Sequence, residues 1–201
     1  MRVARMYSPP KRRTQAERRQ TTRTALLAAA RALFTERGFA ATGREDIAER
    51  AGVTRGALYH HFSSKADAFA AEVDELEAEL VDRVVAAARR GSDPLDRLRR
   101  ASQAYISAAA EPEVARILLT EAPVVLGPDE CRARNAATCA QLLRPALASG
   151  VDVPGDPDVA AALLLGVLDE AATIVATAPN RKAARRRVGA TVDAFLERLL
   201  G

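Results

Sequence analysis

Apolar residues return at three- and four-residue intervals along most of the 201-residue chain, the spacing of one face of an α-helix. Leu26, Ala29, Ala30, Leu33 and Phe34 make the first stripe, and Gly38 directly after Arg37 predicts its stop. Ile47, Ala48 and Ala51 mark a second helix of barely two turns. Its first turn holds Glu45 and Asp46, where carboxylates suit the helix dipole. Thr54, a good N-cap, opens a third short helix on which Ala57, Leu58 and Phe62 face one way. Past Ser63 and Ser64, the stripe Phe69, Val73, Leu76, Leu80 and Val84 predicts a long helix from about Lys65 to Arg90. Further patterns predict helices over 94–109, 112–119, 128–148, 156–177 and 181–200, with Pro or Gly at nearly every junction. No run of alternating β-branched residues interrupts this series, and alanine and leucine, both strong helix formers, supply most of the apolar content. The expectation is an all-α chain of about nine helices.

Charge divides the chain. Residues 1–65 hold 14 Lys and Arg against 5 Asp and Glu; the remainder holds 16 against 21. A basic first third on an acidic body points that third at a polyanion. Anionic membrane surfaces would attract it too, so charge alone does not choose. Met1-Arg2-Val3 is not followed by an apolar stretch of secretory type. The richest apolar run, 159–178, is broken by Asp169 and Glu170, short of the ~18 uninterrupted residues of a membrane span. These features predict a soluble, cytoplasmic protein with no membrane partner. Cys131 and Cys139 are spaced for neither a redox pair nor a zinc site, and are expected to be buried thiols. The expected organisation is a basic, partly disordered arm over 1–19, a three-helix unit over 20–66, and a larger helical domain over 67–201.

The stretch AGVTRGALYHHFSSKADAF, residues 51–69, crowds both histidines, Tyr59, Thr54, Arg55 and Lys65 around a short apolar skeleton. A metal site does not suit it: adjacent His60 and His61 diverge by about 100° on a helix, and no third ligand is near. A catalytic site does not suit it either, because no nucleophile–base signature is present. No catalytic residue, metal or cofactor is expected, and the chain is not read as an enzyme. Two short helices meeting across AGVT do have the form of a helix-turn-helix. Its second helix would leave Arg55, Gly56, Tyr59 and His60 bare for a major groove. An arginine reaches guanine acceptors or a phosphate. Gly56 lets backbone approach closely, and the Tyr59 hydroxyl and a His60 ring nitrogen can donate to phosphate. Thr54 and Lys65 stand at helix starts, where free amides favour an anion. Packing against the first helix is the competing role for Tyr59.

TERGFAATGREDIAERAGVTRGALYHHFSSKADAFAAEV resembles the DNA-binding domain of the tetracycline-repressor (TetR) family over about residues 20–75. The resemblance rests on Gly38-Phe39, Thr42, Asp46-Ile47-Ala48, Ala51-Gly52-Val53, Gly56, Leu58-Tyr59, Phe62 and Lys65. Gly43 and Arg44 depart from the family's usual hydroxyl and apolar pair, and Arg44 is expected to point at the DNA backbone. The DNA-facing set is then Thr42, Arg44, Thr54, Arg55, Gly56, Tyr59, His60 and Lys65. The resemblance implies a C-terminal domain that binds a ligand and dimerises. Candidates for a homodimer interface are Leu163, Val167, Ile174, Val188, Val192, Phe195 and Leu199, on two helices that would form a four-helix contact. Candidates for a mostly apolar ligand pocket are Tyr105, Leu118, Glu121, Val125, Asn135, Cys139, Leu143 and Asp169. Asp169 or Glu121 either favours a cationic or hydrogen-bonding ligand, or sits at the interface rim paired with an arginine of a second chain. The function this implies is a repressor that binds double-stranded operator DNA as a dimer and is released by a small lipophilic inducer. A nonspecific DNA-binding protein and an activator of the same family are the alternatives.

Overall fold

Thr14 opens the first helix, α1 (Gln15–Arg37). Its hydroxyl accepts from the Glu17 amide while the Glu17 carboxylate accepts from the Thr14 amide, a reciprocal cap. α1 therefore begins well ahead of its apolar stripe, inside the span expected to be an arm, because the cap starts it rather than burial. The computed structural model describes residues 14–148 and 155–200, with side chains over 14–142 and 155–198. The first thirteen residues of the expected arm lie outside that range.

Gly38 stops α1 at φ 82°, its amide donating to the Phe34 carbonyl. α2 (Arg44–Arg50) starts at Gly43, which has no side chain to cap with. The Asp46 carboxylate instead accepts from the Gly43 amide at 2.9 Å. Gly52 turns the chain at φ 66°, and the Thr54 hydroxyl accepts from the Ala57 amide to start α3 (Arg55–His61). Ser64 caps α4 (Lys65–Ala88) in the same way through the Asp67 amide.

The remaining helices are α5 (Pro94–Ala109), α6, α7 (Pro128–Ala148), α8 (Pro157–Thr177) and α9 (Arg181–Leu200). That makes nine among the described residues. α6 was expected to be one ordinary helix ending near Leu119. It runs instead from Pro112–Val114 through a π-helical turn, Ala115–Glu121, into Ala122–Val125. Pro123 lacks an amide hydrogen and crowds the carbonyl four residues back, so the tighter ladder cannot continue through it. A widened turn precedes it, the kind of distortion often found at functional positions.

Two apolar clusters hold these helices. One joins Leu26, Leu33 and Phe34 of α1, Ile47 of α2 and Leu58 of α3 to Phe69, Val73 and Leu76 of α4 and Ile117 of α6. The Phe34 and Phe39 rings meet Phe69 edge-on at 5.1 and 5.2 Å. The other joins Leu80 and Val84 of α4 to Leu98, Tyr105 and Ile106 of α5, Leu165, Leu168 and Val175 of α8, and Val188, Val192 and Leu196 of α9. α4 thus supplies side chains to both a head (α1–α3) and a body (α5, α7–α9). Each such aliphatic or aromatic side chain removed from water contributes about 1.5–3 kcal/mol.

α8 is long and apolar enough, by length and composition, to cross a membrane. Its apolar residues divide between two faces. Leu165, Leu168 and Val175 enter the body core, while Val159, Leu163, Val167 and Ile174 face outward. Val188 and Val192, expected at an interface, are buried in that core, because α9 turns its valine stripe towards α5 and α8. Cys139 is buried as expected; Cys131 is only half so.

Candidate nucleic-acid interface and ligand cavity

The outer face of α3 carries the exposed side chains Arg55, Tyr59 and His60, with Gly56 between them. Leu58, on the opposite side, is buried and fixes the helix against the head. Two guanidiniums flank the Tyr59 ring, that of Arg44 4.4 Å from its centre and that of Arg55 5.5 Å. Arg55 also donates to the Tyr59 hydroxyl at 3.2 Å and pairs with Glu45 at 2.7 Å. The Tyr59 hydroxyl, followed by Glu45, holds its protonation above the usual arginine range. Arg44 donates to the Ser63 carbonyl at 3.2 Å. Tyr59 therefore lies beside α2 and α3 side chains, and this surface presents arginine charge around a phenol. That combination suits phosphate oxygens and base edges.

Three members of the DNA-facing set have internal duties. Thr42 is 1% exposed. Its hydroxyl donates to the Gly38 and Leu33 carbonyls, so it ties down the turn after α1 and is not available to DNA. Lys65 is turned inward: its ammonium donates to the Phe39 carbonyl at 2.7 Å and lies 4.2 Å from the Phe39 ring centre. Thr54 serves α3 as its cap. Glu45, which sequence reasoning passed over as a first-turn carboxylate, is the residue that reaches Arg55.

The ligand candidates separate as well. Leu118, Asn135 and Asp169 line a cavity of about 220 Å³ between α4, α6, α7 and α8. Tyr105 and Cys139 are buried in the body core, and Tyr105 reaches the cavity edge by donating its hydroxyl to Asp169. Burial pushes the Asp169 carboxyl above its usual range. Asp169 is thus tied to its own chain at the cavity edge. Glu121 faces the other way: its carboxylate accepts from the Phe39 amide at 2.7 Å. Beside it, Arg116 donates to the Thr35 carbonyl at 2.9 Å. A Cβ on Gly38 would come within 2.5 Å of Glu121, so only glycine admits this contact. Val125 packs against the head cluster, not the cavity. The side chains of Leu143 and of the interface candidate Leu199 lie outside the described range. Sequence reasoning missed Glu77, Arg134 and Thr173 on the cavity wall; they come from three helices, and no one helix's periodicity marks them.

Residues 26–71 match the tetR family of bacterial regulatory proteins. Residues 95–199, just over half the chain, match the tetracyclin repressor-like C-terminal domain. The chain belongs to the TetR family of transcriptional regulators. A solved TetR-family transcriptional regulator from Pectobacterium atrosepticum is 36% identical, with a TM-score of 0.74, over 94% of this chain and 98% of that one. The transcriptional activator FasR of Mycolicibacterium smegmatis is 41% identical over 87 residues, 43% of this chain and 40% of that protein. The transcriptional regulator TtgR of Pseudomonas putida is 51% identical over 65 residues, 32% of this chain and 30% of that protein. The match thus spans well under half the length of these curated relatives.

Proposed function

We propose that the chain is a dimeric, ligand-responsive transcriptional repressor that reads a palindromic operator. The observation that carries this reading is the α3 face: Arg55, Gly56, Tyr59 and His60 stand outward on a helix whose other side is locked into the head. In this reading α3 enters the major groove, Arg55 addresses a base or phosphate, and Arg44, Tyr59 and His60 engage the backbone. Residues 20–66 form the DNA-reading unit, and 67–201 form the ligand-binding and dimerising one. Leu163, Val167, Ile174 and Phe195 are outward apolar side chains on α8 and α9, which supports their burial against a second copy. A two-fold dimer sets its recognition helices about 34 Å apart, or somewhat more, one turn of DNA.

A ligand acts only through unequal affinity for two shapes of the dimer. The π-helical turn of α6 offers the connection. Leu118 and Leu119 line the cavity, while Arg116 and Glu121 of the same turn hold the α1–α2 corner. Selection of bound fragments from the source genome with purified protein tests the reading. One recurring palindrome, preferred at least about a thousandfold over random duplex, is the expected result. Uniform, salt-sensitive binding without a preferred site would instead make this a nonspecific DNA-binding protein. FasR's being an activator makes activation the alternative sign, decided by reporter transcription from the selected site.

A further inference from the structure

We propose that the cavity between α4, α6, α7 and α8 takes a small organic cation, an amine or amidine, with Asp169 as its counter-charge. The inference names the ligand class for the regulator read above.

At about 220 Å³, the space lies below the roughly 300–1,000 Å³ of sites for drug-sized ligands, so the occupant is small. One wall is apolar, formed by Leu118, Leu119, Ala122 and Pro123. Among the described residues the rest of the lining has an excess of negative charge: Glu77, Asp169 and Glu170 against the one cation Arg134. That guanidinium already serves Glu77 at 3.2 Å, Glu130 at 3.0 Å and Asp74 at 2.5 Å. Among the described residues Asp169 has a neutral donor alone, the Tyr105 hydroxyl, on its Oδ1. Its Oδ2 carries no hydrogen bond among the described residues.

A carboxylate drawn partly out of water and lacking a cation is costly. Burial raises both the Asp169 and the Glu77 carboxyl pKa, the same cost seen from the proton's side. An ammonium or amidinium N–H on the free Oδ2 removes that cost and adds a charge-assisted hydrogen bond. A neutral molecule would leave the excess charge as it stands, and an anion would add to it. The apolar wall suits the hydrocarbon part of the same molecule, and the Asn135 amide gives a second polar anchor.

The experiment is a thermal-shift and calorimetric screen of small amines against the full chain. Each amine is matched with a neutral and a carboxylate isostere, beginning with benzylamine, benzyl alcohol and benzoate. Stabilisation confined to the amines is expected. Asp169→Asn should weaken their binding by about tenfold or more, the loss of one charge-assisted bond. If Asp169→Asn does not fold, Glu170→Gln on the exposed lip should still weaken amines by about two- to fivefold. Equal stabilisation by neutral isosteres, stabilisation by none of the three classes, or undiminished amine binding in both carboxylate variants overturns the assignment. Duplex binding is measured in parallel. A chain that binds amines through Asp169 yet prefers no duplex supports the cavity assignment while removing the regulator reading.

Discussion

Thr42 and Arg44 are two residues apart and do opposite things. The Thr42 hydroxyl bonds two carbonyls inside the head. Thr42→Val keeps the shape and takes away the donor to the buried Gly38 carbonyl, so it should cost about 1–3 kcal/mol of stability. Equilibrium unfolding checks this, and a variant as stable as wild type would remove the internal role. Arg44 is only partly covered, seated between the Tyr59 ring and the Ser63 carbonyl. Arg44→Ala is expected to weaken binding to all duplexes alike and to lower the salt slope by about one. Titration of two unrelated duplexes across a salt series measures it. A changed sequence preference with an unchanged slope would mean that Arg44 acts by holding Tyr59.

At the scale of elements, the junction between head and body concentrates charge. Arg31 of α1 bonds Glu72 of α4 and pairs with Glu79 of α4 at 2.8 Å and Glu113 of α6 at 3.5 Å. Glu72 is nearly inaccessible, and burial, only partly offset by Arg31, pushes its carboxyl up to about 7. A carboxyl raised in the folded state holds its proton more tightly than in the unfolded chain. Its contribution to stability is therefore full below its ordinary value of 4.5 and is lost as pH rises towards 7. The melting temperature should fall by several degrees between pH 5 and pH 8, and Glu72→Gln should flatten that fall. Melts across this range decide the point; an equally steep fall in the variant would place the titration elsewhere.

At the scale of the whole molecule, Leu163 is 67% exposed and Phe195 58%, large apolar side chains standing outward on neighbouring helices. Exposed large apolar side chains of this kind support the proposed contact with a second copy. Leu163→Asp combined with Phe195→Asp should shift sedimentation to the monomer and lower operator affinity by at least tenfold, because one head then binds without its pair, while helical content stays unchanged. A double variant that remains dimeric would put the contact on another face.

The helices and the outward face of α3 were legible in the chain because both are local properties. Three- and four-residue spacing, Gly38, Gly52 and the threonine and serine caps act within a few residues of themselves, and Arg55, Gly56 and Tyr59 share a face by periodicity alone. Tertiary structure decided what depends on which helix lies opposite. Periodicity showed that α9 has an apolar stripe but not that Val188 and Val192 look inward. Glu121 stood among the pocket candidates, but nothing local told that Phe39, 82 positions earlier, supplies its partner. Thr42 and Lys65 read as polar groups beside a DNA surface, yet the carbonyls they bond become neighbours only when α1 turns back at Gly38 to meet α2 and α4. Burial, hydrogen-bond partners and charge balance belong to pairs of residues distant in sequence, and folding alone brings those pairs together.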